Sequence, residues 1–321
     1  MFSPRVRRGG ALAAAALSGA LVLSACGSGS DTDRGASPDT RTVTDVTGTS
    51  VAVPESPRKV VTLSEPTLDA ALALGVEPAG TAAGRGQKGV STYLADRAAK
   101  AEVVATTAEP DLEKLAALRP DLILLDETTG SKRFVDKLRS IAPTVVTAKL
   151  NEDWKKAFTA TADALNKKPQ GEQLLAGLDA DAAKAKARLG DRAGAVVSVV
   201  RWQNGAPSVV GKGNGHVGST LSLLGLRRPE DQQGQGVGHS EPVSLEKLGT
   251  IDGDWLFFGA LGDRAAGEKA LGEARKVPGF DALKAERDGH VVVVEGSAWN
   301  SAGGPIAART VLDDVTRALA G

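Results

Sequence analysis

A stretch without any strand pattern, Asn151 to Leu189, divides this chain into two runs in which short apolar strands alternate with helices. A strand followed by a helix returns the chain parallel to itself, so each run predicts a parallel α/β layer. Before the divide, "TVTDVTGTSVAVP" alternates about Thr47-Gly48 as a hairpin. Strand candidates follow at "KVVTLS", "EPAGTAA", "AEVVAT", "DLILLDE" and "TVVTAK", with helices at "TLDAALALG", "DLEKLAALRP" and "SKRFVDKLRSIAP" between them. After it come "AVVSVVRW", "PSVVG", a helix near Ser219–Leu224, "DWLFFGAL", two further helices, "HVVVVEG" and a closing helix from Pro305.

Within the divide, Pro169 suits the first turn of a helix. Leu174, Leu175, Leu178, Ala182, Ala185 and Leu189 then mark one apolar face. A helix of about 20 residues spans roughly 30 Å, the width of a small domain. The expected architecture is α/β: two α/β lobes, residues 42–166 and 193–321, joined by a single long helix over 167–192.

The amino terminus has a different character. Arg5, Arg7 and Arg8 precede an apolar run from Ala11 to Leu23, then Ser24, Ala25 and Cys26, the only cysteine among 321 residues. A basic head, a short apolar core and small residues form a secretory signal, read here as residues 1–25. The apolar core is shorter than the roughly 20 residues that span a bilayer. Leu23-Ser24-Ala25-Cys26 resembles the bacterial lipobox, which implies diacylglycerol on Cys26 and anchorage at the extracytoplasmic face of the cell membrane. Arg7-Arg8 leaves both general and twin-arginine export open. Residues 26–41, rich in Gly, Ser, Asp and Thr, read as a flexible tether. With no second cysteine, the lobes must be held by packing and not by disulfides. Lys plus Arg and Asp plus Glu are 39 each, so no strong field favours nucleic acid.

No enzyme motif survives scrutiny. "GNGHVG", Gly213 to Gly218, fits G-x-G-x-x-G, which proposes an exported nucleotide-binding enzyme. The acidic strand expected about 20 positions on is replaced by the polar "RRPEDQQGQGVGHS", so the glycines read as a loop entering a helix. No G-x-S-x-G nucleophile elbow occurs. The three histidines are His216 and His239, read in loops, and His290, read as structural ahead of four valines. They do not make the convergent set a metal site needs, so no metal ligand and no cofactor are assigned.

Aromatic residues are only 3% of the chain, which makes each tryptophan informative. Trp255 reads as core, and Trp154 as packing a helix near the lobe junction. Arg201 and Trp202 end a strand, Trp299 lies just beyond another, and Arg85 follows the strand candidate at 77–83. Ligands of open α/β sheets collect outside the carboxyl ends of strands. Arg85, Arg201, Trp202, His239 and Trp299 are therefore the candidate ligand-binding residues, forming a cleft of cations and flat apolar faces.

From "VPESPRKVVTLS" and "LALGVEPAG" through "EPDLEKLAALRPDLILL", "LRSIAPTVV", "LLGLRRPEDQ", "VSLEKLGTIDGDWLF" and "WNSAGGPIAARTVLDDV", the chain resembles the ABC-transporter substrate-binding lipoproteins for ferric siderophores and cobalamin. The resemblance implies a class III fold, with two Rossmann-like lobes bridged by one long helix. "LGLRRP" with Gln232 and Arg201 is most similar to the members that bind hydroxamate siderophores. Those members carry an arginine before E-P-x-L-E and a tyrosine after the next strand, where this chain has Thr107-Ala108 and Thr128-Thr129. The implied ligand is an Fe(III)–siderophore whose own oxygens fill the iron coordination sphere; cobalamin, haem or a divalent metal are the alternatives. The implied partner is an ABC permease dimer with its ATPase, docked by Glu113 in one lobe and Glu246 in the other.

The anchor is directly testable. Cys26→Ala is expected to release the protein from the detergent-soluble membrane fraction; retention on membranes in high salt contradicts the lipobox reading.

Overall fold

Residue 39 opens the part of the chain that the computed structural model describes, which comprises 39–212, 215–234, 238–300 and 303–321. The signal, Cys26 and most of the tether lie outside the described residues. Strands β1 (Thr40–Thr44) and β2 (Ser50–Pro54) form an antiparallel hairpin. Thr40 and Arg41 thus belong to a strand and not to the tether. Gly48 takes the left-handed φ of 86° that the turn requires, and Asp45 Oδ1 accepts from the amides of Thr47 (2.9 Å) and Thr49 (3.0 Å).

The first lobe then runs through β3 (Val60–Thr62), α1 (Glu65–Ala73), β4 (Gly80–Ala82), β5 (Glu102–Ala105), α2 (Leu112–Leu118), β6 (Leu122–Leu125), α3 (Val135–Arg139) and β7 (Thr144–Val146). Its five strands lie in the order β5-β4-β3-β6-β7, all parallel. Every residue of "LILL" in β6 is buried, as a strand covered on both faces demands. Ser64 caps α1 by accepting from the Thr67 amide at 3.3 Å, and Pro66 occupies the first turn.

Helix α4 (Trp154–Ala164) leads into α5 (Lys168–Leu189), the long helix expected from the apolar face. Leu174 and Leu175 pack against the first lobe's core, while Leu178, Ala182, Ala185 and Leu189 are buried in the second's. One face of one helix therefore serves both cores. Pro38–Gly321 forms one compact unit, so the lobes are packed together and not strung apart.

The second lobe contains β8 (Val197–Gln203), β9 (Ala206–Val209), α6 (His216–Leu223), β10 (Trp255–Gly259), α7 (Arg264–Ala274), α8 (Lys284–Arg287), β11 (Val291–Val293), α9 (Gly296–Trp299) and α10 (Pro305–Ala320). The strand order is β11-β10-β8-β9. Only β9 is antiparallel, because Asn204 (φ 53°) and Gly205 (φ 79°) close a two-residue hairpin after β8.

Two tryptophans expected in the cleft are core residues instead. Trp202 is buried and stacks on Phe258, with ring centroids 5.9 Å apart. Neighbouring strand residues point to opposite faces, so Trp202 turns away from the side that Arg201 occupies. Trp299 is fully buried: the short α9 folds its indole onto Phe257 at 4.8 Å, and Nε1 donates to Asp314 Oδ2 at 2.9 Å. Trp255 stacks on His290 at 4.0 Å, and His290 Nδ1 lies 2.9 Å from the Asp254 carbonyl oxygen, a structural role for both.

Trp299→Ala is accordingly expected to cost stability by about 3–5 kcal/mol, through a large cavity and a donor lost to buried Asp314. Urea unfolding checks this; a stability within experimental error of wild type places Trp299 outside the core.

Candidate functional site: a charged cleft between the lobes

Parallel strands of both sheets end at one cleft of about 320 Å³. From the first lobe, the chain leaving β4 brings Arg85, that leaving β6 brings Asp126 and Thr128, and that leaving β7 brings Lys149 and Leu150. Trp154, opening α4, completes that wall. The second lobe supplies Val210 after β9, His216 at the start of α6, His239, Glu241, and Asn300 beyond β11. This is where open α/β sheets hold ligands, because side chains there are positioned by rigid strands yet freed from the ladder.

The wall in the first lobe is built over buried acids. Glu65 Oε1 accepts from Ser91 Oγ at 2.7 Å and from the Arg85 amide at 3.4 Å. Asp126 accepts from Ser64 Oγ (2.6 Å), the Thr128 amide (2.8 Å) and Thr128 Oγ1 (2.5 Å). Burial raises the pKa of both carboxyls, against these bonds and the Arg85 charge, which favour the ionised forms. Arg85 is half-buried, with Nη2 donating to the Thr128 carbonyl at 3.4 Å. Its charge is thus balanced from beneath.

Arg201 has no such balance. It lies near the end of β8, only 6% exposed, and its Nε is sealed from solvent without a partner. Among the described residues no carboxylate pairs with it. Burial lowers its pKa from the ordinary guanidinium value, and the charge that acts on it is Arg85, from the opposite lobe. A desolvated guanidinium that feels a second one, with no carboxylate paired to it among the described residues, gains from an anionic oxygen.

The second arginine of "LGLRRP" does different work. Arg228 is buried and donates to the carbonyls of Gly211 (3.2 Å) and Val210 (2.9 Å) and to Gln232 Oε1 (2.6 Å). Gln232 passes the connection to Ser198 Oγ at 2.7 Å. Burial lowers the Arg228 pKa to about 10, which leaves it charged at neutral pH. This network fixes the loop after β9 at the rim of the cleft, and neither Arg228 nor Gln232 lines it. The hydroxamate-like pattern is therefore, at these two positions, a loop-holding pattern.

The histidines separate in the same way. His216 sits in the first turn of α6 and not in a loop, buried beside Trp154 with ring centroids 5.1 Å apart. Burial lowers its pKa to about 4, so it is neutral at physiological pH. His239 is exposed on the cleft rim, with Nδ1 2.9 Å from the Ser240 carbonyl oxygen.

Of the five residues expected in the cleft, Arg85 and His239 line it, Arg201 is buried in β8 and feels the Arg85 charge without lining it, and Trp202 and Trp299 are in the core. Trp154 supplies the indole in their place, its Nε1 held by Ser219 Oγ of the other lobe at 3.1 Å. Leu150, 56% exposed, adds an uncovered apolar side chain. Asp126 could have been found from "DLILLDE", where an acid directly follows a fully apolar strand. Glu113 and Glu246 are both exposed, in the first turn of α2 and of a short 3₁₀ segment, Leu245–Ile251. Among the described residues, no three His, Cys, Asp or Glu side chains gather as a metal site, and no helix is long and apolar enough to cross a membrane.

Comparison with known proteins bears directly on this geometry. The chain is 33% identical over 304 residues, 92% of its length and 93% of the relative's, to a "probable siderophore-binding lipoprotein", YfiY of Bacillus subtilis (strain 168). It is 28% identical to the Fe(3+)-citrate-binding protein YfmC of the same organism, over 92% of each chain. The solved structure of Staphylococcus aureus SirA complexed with staphyloferrin B superposes with a TM-score of 0.72 at 26% identity, covering 87% of this chain and 98% of that one. Residues 60–298 match the periplasmic binding protein family. By that match and that relative, the chain belongs to the periplasmic binding proteins, which bind substrates for transport and are not enzymes.

Proposed function

We propose that this protein is the substrate-binding component of an ABC importer, capturing an Fe(III)–siderophore in the cleft and delivering it to a permease dimer driven by its ATPase. The observation that carries the reading is Arg201, a covered guanidinium with no carboxylate partner among the described residues, on which the charge of Arg85 in the other lobe acts. Iron in such a complex brings its own oxygen ligands, so recognition falls to groups that meet the outside of the complex. Guanidiniums donate to its partly anionic oxygens, while Trp154 and Leu150 cover its apolar linkers. The relatives named above, with siderophore and ferric citrate in their names, support the same class of ligand.

Hydroxamate is the finer reading, and Arg201 is its support. A carboxylate arm satisfies the same guanidinium, so ferric desferrioxamine B and ferric citrate are the two probes that divide the cases. Lipid on Cys26 holds the protein at the membrane, and exposed Glu113 and Glu246 dock one lobe each on the permease. Such a charged dock accelerates and orients encounter more than it tightens the complex.

The test has a binding arm and an uptake arm. Quenching of tryptophan emission is expected with one of the two ferric probes, and with neither cobalamin, haem nor zinc. Arg201→Ala should weaken that binding by about 1.5–3 kcal/mol, the worth of a charged hydrogen bond. Glu113→Ala combined with Glu246→Ala should leave binding intact and abolish cellular uptake. Quenching by zinc or cobalamin alone overturns the ligand, and normal uptake at equal surface abundance overturns the dock.

A further inference from the structure

Helix α10 begins without a cap of its own. Gly304 stands at its N-cap and has no side chain, so the first amides must find acceptors elsewhere. Asp69 supplies both from α1, in the opposite lobe: Oδ1 accepts from the Ile306 amide at 3.0 Å and Oδ2 from the Ala307 amide at 2.9 Å. The Tyr93 hydroxyl donates to Oδ2 at 3.1 Å, and the carboxylate is entirely sealed from solvent. A Cβ on Gly304 would lie 2.3 Å from Asp69 Oδ1, so only glycine permits this approach.

Both ends of that joint reach the cleft. Pro66, less than one turn before Asp69 on α1, lines one wall. On the other side the Gly304 carbonyl lies 3.3 Å from His216 Nε2, and His216 opens α6 at the opposite wall.

We propose that Asp69 is the positioning residue of the cleft: by capping α10 from the other lobe it fixes the two walls relative to each other, and with them Arg85 and Arg201. This rests on the reading of the cleft as a ferric-ligand site. The groups facing Asp69 are Tyr93, in the single turn Thr92–Leu94, and Arg97 just after it, while His216 is one step removed, on the Gly304 carbonyl. Helix α10 presents backbone amides, while β3 and α4 meet α1 through Val60, Ala70, Ala71, Phe158 and Ala162.

Burial raises the Asp69 pKa to about 6, against the opposing pull of its donors and Arg97. Opening the joint hydrates the carboxyl and returns it towards its ordinary value of 3.8. Protons therefore bind the closed joint more tightly. Closure is favoured at low pH, and that advantage is lost as pH rises through about 6. The change in the opening equilibrium is on the order of a hundredfold.

Amide hydrogen exchange on the unliganded protein between pH 4.5 and 7.5 (about neutral to moderately acid, where exchange is slow enough to follow) reads this joint. After correction for intrinsic rates, Ile306 and Ala307 should open more readily with rising pH in wild type. In Asp69→Asn that dependence should vanish, with β6 amides protected in both. Should Asp69→Asn not fold, Tyr93→Phe removes one stabilising donor from the carboxylate and should move the transition to higher pH. The ferric probe that wild type binds should bind Asp69→Asn about tenfold more weakly. A persisting pH dependence in Asp69→Asn, an unmoved transition in Tyr93→Phe, or affinity within about twofold of wild type overturns the proposal. If wild type binds neither ferric desferrioxamine B nor ferric citrate, the ferric reading fails while the exchange result still decides the joint.

Discussion

The hydrogen bonds from the first amides of α10 to Asp69 join the last helix of one lobe to the first helix of the other. Helix ends buried without a partner are costly, so the first lobe completes the secondary structure of the second. Two further bonds cross the same boundary, from the Tyr93 amide to Ser297 Oγ (3.2 Å) and from Trp154 Nε1 to Ser219 Oγ (3.1 Å). Helix α5 adds apolar packing to both cores. Together these fasten the lobes alongside the cleft that the carboxyl ends of the strands form.

Within that frame the cleft gathers groups that stability alone disfavours. Arg201 is covered without an opposite charge among the described residues, and Glu65 and Asp126 are buried acids whose pKa values burial raises. Burying a charge is expensive unless it is paired and hydrogen-bonded. Arg85 relieves the acids but opposes Arg201, so the second lobe retains an unmet demand for an anionic oxygen. Elsewhere the same lobe surrounds the guanidinium of Arg228 with the neutral acceptors Val210, Gly211 and Gln232, which hold a loop although its Nε is likewise buried without a partner among the described residues. The acceptors around Arg228, which Arg201 lacks among the described residues, are what support the proposal of Arg201 as a ligand group, with Arg228 as scaffold.

Strands such as "DLILLDE" and "KVVTLS", and the apolar face of α5, were legible because hydrophobic period reports burial directly. Arg85 and His239 were legible as cleft residues because each lies in a loop on the edge where ligands collect. Trp202 was misread although strand alternation sets it on the face opposite Arg201. Trp299 was misread because α9, only Gly296–Trp299, turns the indole inward, and so short a helix leaves no periodic signal. Asp69 was invisible for another reason. It sits within an apolar helical pattern, and its partners, Ile306 and Ala307, are remote in sequence and contribute only backbone amides. No side-chain pattern records such a bond.

The central claim is that the cleft holds iron through the outside of a complex that already fills the metal's coordination sphere. Crystals grown with a bound ferric siderophore, measured at the iron absorption edge, test it most directly. The account predicts one iron position between Arg85 and Arg201, surrounded by siderophore oxygens, with the guanidiniums bonded to those oxygens. Iron ligated by a protein side chain, or lying outside the cleft, would contradict it.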